Sequence, residues 1–221
     1  MIEVNKYIDS TLLKPDATEA EVVKLCADAR KYEFASVCVN PFWVELVSRN
    51  LEGSDVATCV VIGFPLGATG WEVKVCEAAY ASQRGAGELD MVMNIGAFKS
   101  RQLDVVERDI RAVIAVAAGK ALVKVILECC LLSEAEKVEA CELAVSAGAD
   151  FVKTSTGLSS GGATLEDVRL LKETVGERAR VKASGGIREL WTALGMIEAG
   201  ADRIGTSAGV AIVTEAQGEG V

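Results

Sequence analysis

The feature that most constrains this chain is an alternation that runs from one end to the other. Short runs rich in β-branched and apolar residues recur at Tyr7–Leu12, Ala35–Val39, Ala57–Ile62, Glu88–Met93, Leu122–Leu127, Asp150–Thr154, Arg180–Ala183 and Asp202–Gly205. Longer segments with apolar residues at helical spacing lie between them, such as Val22, Val23, Leu25, Cys26, Ala29 and Val105, Val106, Ile110, Val113, Ile114. A strand that reaches the next strand through a helix must cross over, so the strands are expected to be parallel.

Local signals agree. Thr18-Glu-Ala-Glu21 and Ser133-Glu-Ala-Glu136 read as full capping boxes, and Thr164-Leu-Glu-Asp167 as one with Asp in the last position. Arg84-Gly-Ala-Gly-Glu88, Ala147-Gly-Ala-Asp150 and Ala199-Gly-Ala-Asp202 each stand between a helix and a strand, about two βα units apart, with Gly where a helix ends in a left-handed residue. Eight βα units in 221 residues predict a TIM (β/α)8 barrel, α/β in class, as a single domain over 1–221 with Glu215–Val221 as a flexible tail. The rival, an open doubly wound sheet, calls for a Gly-rich phosphate loop after the first strand, and none is present.

No apolar run is long enough to span a membrane, and the N-terminus carries an acid where a signal peptide has bases, so a cytoplasmic protein is expected. A formal charge of −9 without a basic stripe argues against nucleic-acid or anionic-lipid partners. The seven cysteines contain no C-x-x-C and read as reduced thiols rather than as disulfides or zinc ligands. There is no histidine, which removes Ser-His-Asp, Cys-His and imidazole acid–base chemistry. Any catalysis falls to Lys, Asp, Glu, Ser, Thr, Tyr or a cofactor.

Active sites of TIM barrels lie at the C-terminal ends of the strands. Lys124, Lys153 and Lys182 stand on three successive predicted strands. One lysine alone is best read as snorkelling or paired with an acid. Three together are harder to assign that way. Neighbouring strands lie about 4.8 Å apart, so Lys153 and Lys182 are expected close together. Two such ammonium groups disfavour each other's charge, which leaves one with some free amine, as a Schiff-base nucleophile requires. Lys124 reads equally well as the partner of an acid. Asp90 lies within an apolar strand, where an acid needs a partner, and suits either proton transfer or an ion pair with a lysine. Asp9 repeats that pattern on the first strand. Gly157 and Ser159-Ser-Gly-Gly162, Ser184-Gly-Gly186, and Gly205-Thr-Ser-Ala-Gly209 follow the last three strands, the usual side for a phosphate in this fold.

Asp9-Ser-Thr-Leu-Leu-Lys-Pro15, Gly63-Phe-Pro-Leu-Gly67, Glu88-Leu-Asp-Met-Val-Met-Asn-Ile-Gly96, Val123-Lys-Val-Ile-Leu-Glu128, Asp150-Phe-Val-Lys-Thr-Ser-Thr-Gly157 and Val181-Lys-Ala-Ser-Gly-Gly-Ile-Arg188 together resemble the deoxyribose-phosphate aldolase family, over about Tyr7 to Gly209. The resemblance implies a class I aldolase without metal or cofactor. Such an enzyme reversibly cleaves 2-deoxy-D-ribose 5-phosphate to D-glyceraldehyde 3-phosphate and acetaldehyde, in deoxyribose catabolism. It implies Lys153 as the Schiff-base lysine, Lys182 as the lysine that tunes it and Asp90 as the proton relay. Gly157, Gly185, Gly186, Gly205 and Ser207 match phosphate-holding positions, and Asp9 and Thr156 match positions near the substrate hydroxyls. The expected partners are a phosphosugar and aldehydes, with assembly as a homo-oligomer, dimer or tetramer. Ser10 stands where the family commonly has His, Cys129 where it has Thr, and the C-terminal tail has no Tyr. Two other readings stay open on the residues: a phosphosugar isomerase or epimerase on the same barrel, and a silent barrel that binds a sugar phosphate.

Overall fold

All eight expected strands form, each within one residue of its predicted bounds: β1 Ile8–Leu12, β2 Ser36–Val39, β3 Ala57–Ile62, β4 Glu88–Val92, β5 Leu122–Ile126, β6 Phe151–Lys153, β7 Arg180–Ser184 and β8 Arg203–Thr206. In the computed structural model of the chain, which describes residues 2–218, these strands pair in parallel in chain order, and β8 returns to β1 to close a barrel. Closure rules out the open doubly wound sheet. The helices are α1 Glu19–Lys31, α2 Val44–Leu51, α3 Trp71–Gln83, α4 Ile95–Lys99, α5 Leu103–Ala117, α6 Glu134–Ala147, α7 Leu165–Val175, α8 Leu190–Glu198 and α9 Gly209–Ala216. Among the described residues no helix is long and apolar enough to cross a membrane.

The strand period divides each strand between two surroundings. Leu89 and Met91 of β4, with Met93 just after it, join the apolar layer that includes Val106, Ile110 and Val113 of α5. Glu88 and Asp90, on the other face, are buried among charged groups inside the barrel. The helical stripes behave similarly: Val22, Cys26 and Ala29 of α1 are buried, while Val23 is exposed.

Thr18 and Ser133 each make the full reciprocal capping box. Thr164 caps α7 by accepting from the Asp167 N–H, but the Asp167 carboxylate does not reach back. It is one methylene shorter than Glu and instead holds Lys137 at 2.5 Å. Gly148 ends α6 at φ 98°, in the left-handed region expected for the echoed Gly-Ala motif. Part of the segment expected to be a flexible tail is helical. Glu215 and Ala216 belong to α9, and the Glu215 carboxylate accepts from the Leu190 N–H at 3.2 Å. Residues 219–221 lie outside the described residues.

One buried pair was not foreseen. Lys74 of α3 donates to the Val92 carbonyl at 2.8 Å and pairs with Asp109 of α5. Both are buried, which pushes the Lys74 ammonium below its ordinary range and the Asp109 carboxyl above its own, each against the pull of the other. Breaking such a pair strands a charge, whereas replacing both ends with apolar groups is close to neutral. Lys74→Met is therefore expected to cost about 3–5 kcal/mol in urea unfolding, with Lys74→Met/Asp109→Leu recovering most of it. A double variant as unstable as the single one would remove this explanation.

Candidate active site

The parallel register decides which polar side chains meet. Asp90 lies level with Lys124 and Lys153 with Lys182, and alternation turns these residues into the barrel. The result is a buried charge cluster around one carboxylate. Asp90 Oδ2 accepts from Lys153 Nζ at 2.8 Å and from Lys182 Nζ at 2.7 Å, while Oδ1 accepts from Lys124 Nζ at 2.9 Å. Lys124 also holds Glu88 at 2.5 Å. Lys182 is paired on its far side with Asp9 Oδ2 at 2.5 Å, and Arg203 joins Asp9 to Glu88 at 2.6 and 2.9 Å.

These groups are nearly or wholly buried, so the network determines their charges. Burial alone would raise the Asp90 carboxyl, but Lys124, Lys153 and Lys182 overcome it and hold it well below the usual range. Asp9 is likewise held down, with burial opposed by Lys182, Lys124 and Arg203. Burial works against the Lys182 and Lys124 charges. Asp9 and Asp90 nevertheless keep Lys182 protonated beyond its ordinary range, and Asp90, Cys59 and Glu88 do the same for Lys124. Both carboxylates are thus ionised at neutral pH, and Lys182 and Lys124 are fixed cations. Lys153 differs from them in having, among the described residues, Asp90 as its one carboxylate partner, shared with Lys182.

The expected substrate side lies at the same strand ends. Thr156 follows β6 and is fixed there. Its hydroxyl donates to Glu128 Oε2 at 2.5 Å, and its N–H points to the same carboxylate. Glu128 itself adopts a left-handed backbone at φ 56°. Gly157 and Gly186 are exposed, and all of Gly157, Gly185 and Gly186 have positive φ. Gly205 is required by close approach: a Cβ there would stand 2.8 Å from Ser184 Cβ and 3.1 Å from Lys182 Cε. Ser207 is exposed just beyond β8. Ser155, on the Lys153 face, has a buried hydroxyl with no hydrogen-bond partner among the described residues.

A family model described as the DeoC/LacD family aldolase matches residues 4–215. The deoxyribose-phosphate aldolase of Clostridium tetani is 62% identical over 216 residues, covering 98% of this chain and 100% of its own. That of Streptococcus sanguinis is 60% identical, covering 99% of each chain. The chain belongs to the DeoC/LacD aldolase family. Its fold superposes on the deoxyribose phosphate aldolase of Aeropyrum pernix, described as tetrameric, with a TM-score of 0.90, 37% identity and coverage of 97% and 91%.

Of the residues expected to carry chemistry in this aldolase, Lys153, Lys182 and Asp90 come together. Asp9 is drawn into the same network, with its carboxylate engaged by Lys182 and Arg203. Lys124, open between two readings, pairs with acids. Glu88, Arg203, Cys59 and Glu128 are neighbours that the sequence reading did not single out. Glu88 was within reach of it, because it lies two residues from Asp90 on the same strand face. The Lys182 environment leads to one expectation. Removing this fixed cation leaves Lys153 sole use of Asp90 Oδ2, a tighter ion pair. Lys182→Leu should therefore lower kcat and move the acid limb of the pH–rate profile to higher pH. An unmoved profile would refute the coupling.

Proposed function

We propose that this aldolase reversibly cleaves 2-deoxy-D-ribose 5-phosphate to D-glyceraldehyde 3-phosphate and acetaldehyde, through a Schiff base on Lys153. The observation that carries the reading is the sharing of one Asp90 oxygen by Lys153 and a permanently charged Lys182, level with each other on adjacent strands. When the Lys153 proton moves to solvent or to Asp90, the free amine attacks the substrate aldehyde carbon and water leaves, giving an iminium. Loss of the C3 hydroxyl proton lets the C2–C3 electron pair flow into the iminium, releasing glyceraldehyde 3-phosphate and leaving an enamine. Protonation of the enamine at C2 and hydrolysis return acetaldehyde and Lys153. The ionised Asp90 is the proton acceptor for these steps, and Lys182 keeps it anionic between them. The aldehyde assay with deoxyribose 5-phosphate tests this: both products in equal amounts are expected, and an aldose–ketose isomer or no product at all overturns it.

The phosphate is assigned to the end of β8 at Gly205 and the loops carrying Gly157, Gly185, Gly186 and Ser207, where backbone N–H groups can close on an anion. Ser207→Asp should raise KM for the phosphorylated substrate by roughly tenfold or more, a loss of ~1.4 kcal/mol. The rate with unphosphorylated 2-deoxyribose should change much less. Equal losses on both substrates would move the phosphate elsewhere. Asp9 and Thr156 are assigned to the sugar hydroxyls, Asp9 through its ion pairs and Thr156 through its hydroxyl. The tetrameric relative from Aeropyrum pernix supports a homo-oligomer, which sedimentation would test. The acidic charge and unpaired thiols support a cytoplasmic protein without nucleic-acid or membrane partners.

A further inference from the structure

Two cysteines lie beside the charge cluster, and the proposed reaction uses neither. Cys38 of β2 and Cys59 of β3 are level in the parallel register, so their side chains leave adjacent strands side by side into the barrel. Both are fully buried. Cys59 Sγ donates to Asp90 Oδ1 at 3.2 Å, and Lys124 Nζ lies 3.5 Å from the same sulfur. The two sulfurs and a carboxylate oxygen of Asp90 all fall within 4.8 Å of one another. The pair belongs to a small cluster with Val61, covered by the half-buried Leu13 and Phe64, which follow the C-terminal ends of β1 and β3. It therefore lies beneath the mouth of the barrel, on the opposite oxygen of the carboxylate that holds Lys153.

From this geometry we infer that Cys38, Cys59 and Asp90 form a binding site for a soft divalent metal ion of the zinc–cadmium class, and that its occupancy blocks the aldolase. A tetrahedral ion bound to thiolates at about 2.3 Å and to a carboxylate at about 2.0–2.2 Å draws its donors to within about 4 Å of one another, a small adjustment for atoms that already lie within 4.8 Å, and three protein ligands leave a fourth position for water. Thiolate donors select such ions over magnesium or calcium. The exchange balances. The ion replaces the two thiol protons, which leave to solvent, and forms two metal–sulfur bonds, so the charge inside the barrel is unchanged. The ion takes the place of the Cys59 thiol proton at Oδ1 and displaces the Lys124 ammonium from that oxygen onto Glu88, which it already holds at 2.5 Å, while Lys153 and Lys182 keep Oδ2. No lysine has to be neutralised for the ion to enter. Once bound, the ion draws on the charge of Asp90 and competes with its role as proton acceptor. That inhibition rests on the function proposed above; the binding does not.

The test uses the full chain with its exposed thiols, Cys76 and Cys130, changed to Ser. Titration with cadmium ion should raise a thiolate-to-metal charge-transfer absorption that saturates at one ion per chain, with turnover falling in parallel and returning on addition of a chelator. Cys38→Ala and Cys59→Ala should each weaken binding by more than the roughly 10- to 100-fold lost when only a supporting partner is removed. X-ray absorption of the zinc-loaded protein, with both cysteines in place, should show two sulfur scatterers at about 2.3 Å. This reading does not depend on whether the variants fold. No saturable absorption, absorption indifferent to both substitutions, or fewer than two sulfurs around zinc would each overturn the site. A two-sulfur site with unchanged turnover would uphold the binding, overturn the inhibition and remove Asp90 from the proposed mechanism.

Discussion

Lys153→Leu is expected to give a folded barrel without measurable turnover. The loss should be on the order of 10⁴-fold or more, the scale reached when a covalent nucleophile is deleted. The fold should survive because of how the charges are shared. Lys153 makes its one ion pair to Asp90, and without it Asp90 still holds Lys124 at 2.9 Å and Lys182 at 2.7 Å. No buried charge is left alone, so unfolding should move by much less than for a broken buried pair. Binding of inorganic phosphate should persist, since the strand-end loops are untouched. Kinetics combined with urea unfolding checks both halves. Retained activity would take the Schiff base away from Lys153.

Asp90→Leu is expected to damage both stability and rate. Lys124 and Lys182 keep Glu88 and Asp9, but the shared anion among three buried ammonium groups is gone and Lys153 loses its partner. Uncompensated buried charge of this kind costs about 3–5 kcal/mol. Asp90→Asn separates the two effects, because it keeps the shape and hydrogen-bonding capacity while removing the charge and the basicity. It should fold better than the Leu variant and still lose roughly 10²- to 10⁴-fold in kcat, the range of general acid–base catalysis. A near-normal rate in a folded Asn variant would reduce Asp90 to a structural anchor.

Much of this was legible in the chain because strand and helix periods are written locally. A run such as Ala57–Ile62 has one plausible conformation, and Gly148 marks the end of the helix before it marks anything else. The meeting of Lys153 and Lys182 could also be anticipated, since adjacent parallel strands place equivalent positions side by side. What the sequence does not reveal is charge pairing at a distance. Arg203, from the far end of the chain, joins Asp9 on the neighbouring β1 to Glu88 of β4 across the barrel. Lys74, which nothing in the local sequence singles out, is buried against Asp109, thirty-five positions away. Cys38 and Cys59 read only as two of seven reduced thiols until the register set them level. The limit at Asp167 is finer. A capping box depends on side-chain length, and Lys137 offered the shorter acid a stronger partner.

The central claim is a covalent one, so the most direct measurement is covalent. The unmodified protein is incubated with acetaldehyde and sodium borohydride, weighed intact and then mapped by peptide. One reduced acetaldehyde adduct per chain, located on Lys153, is the predicted result. A folded protein that gains no adduct, or carries it on Lys182 instead, would contradict the account.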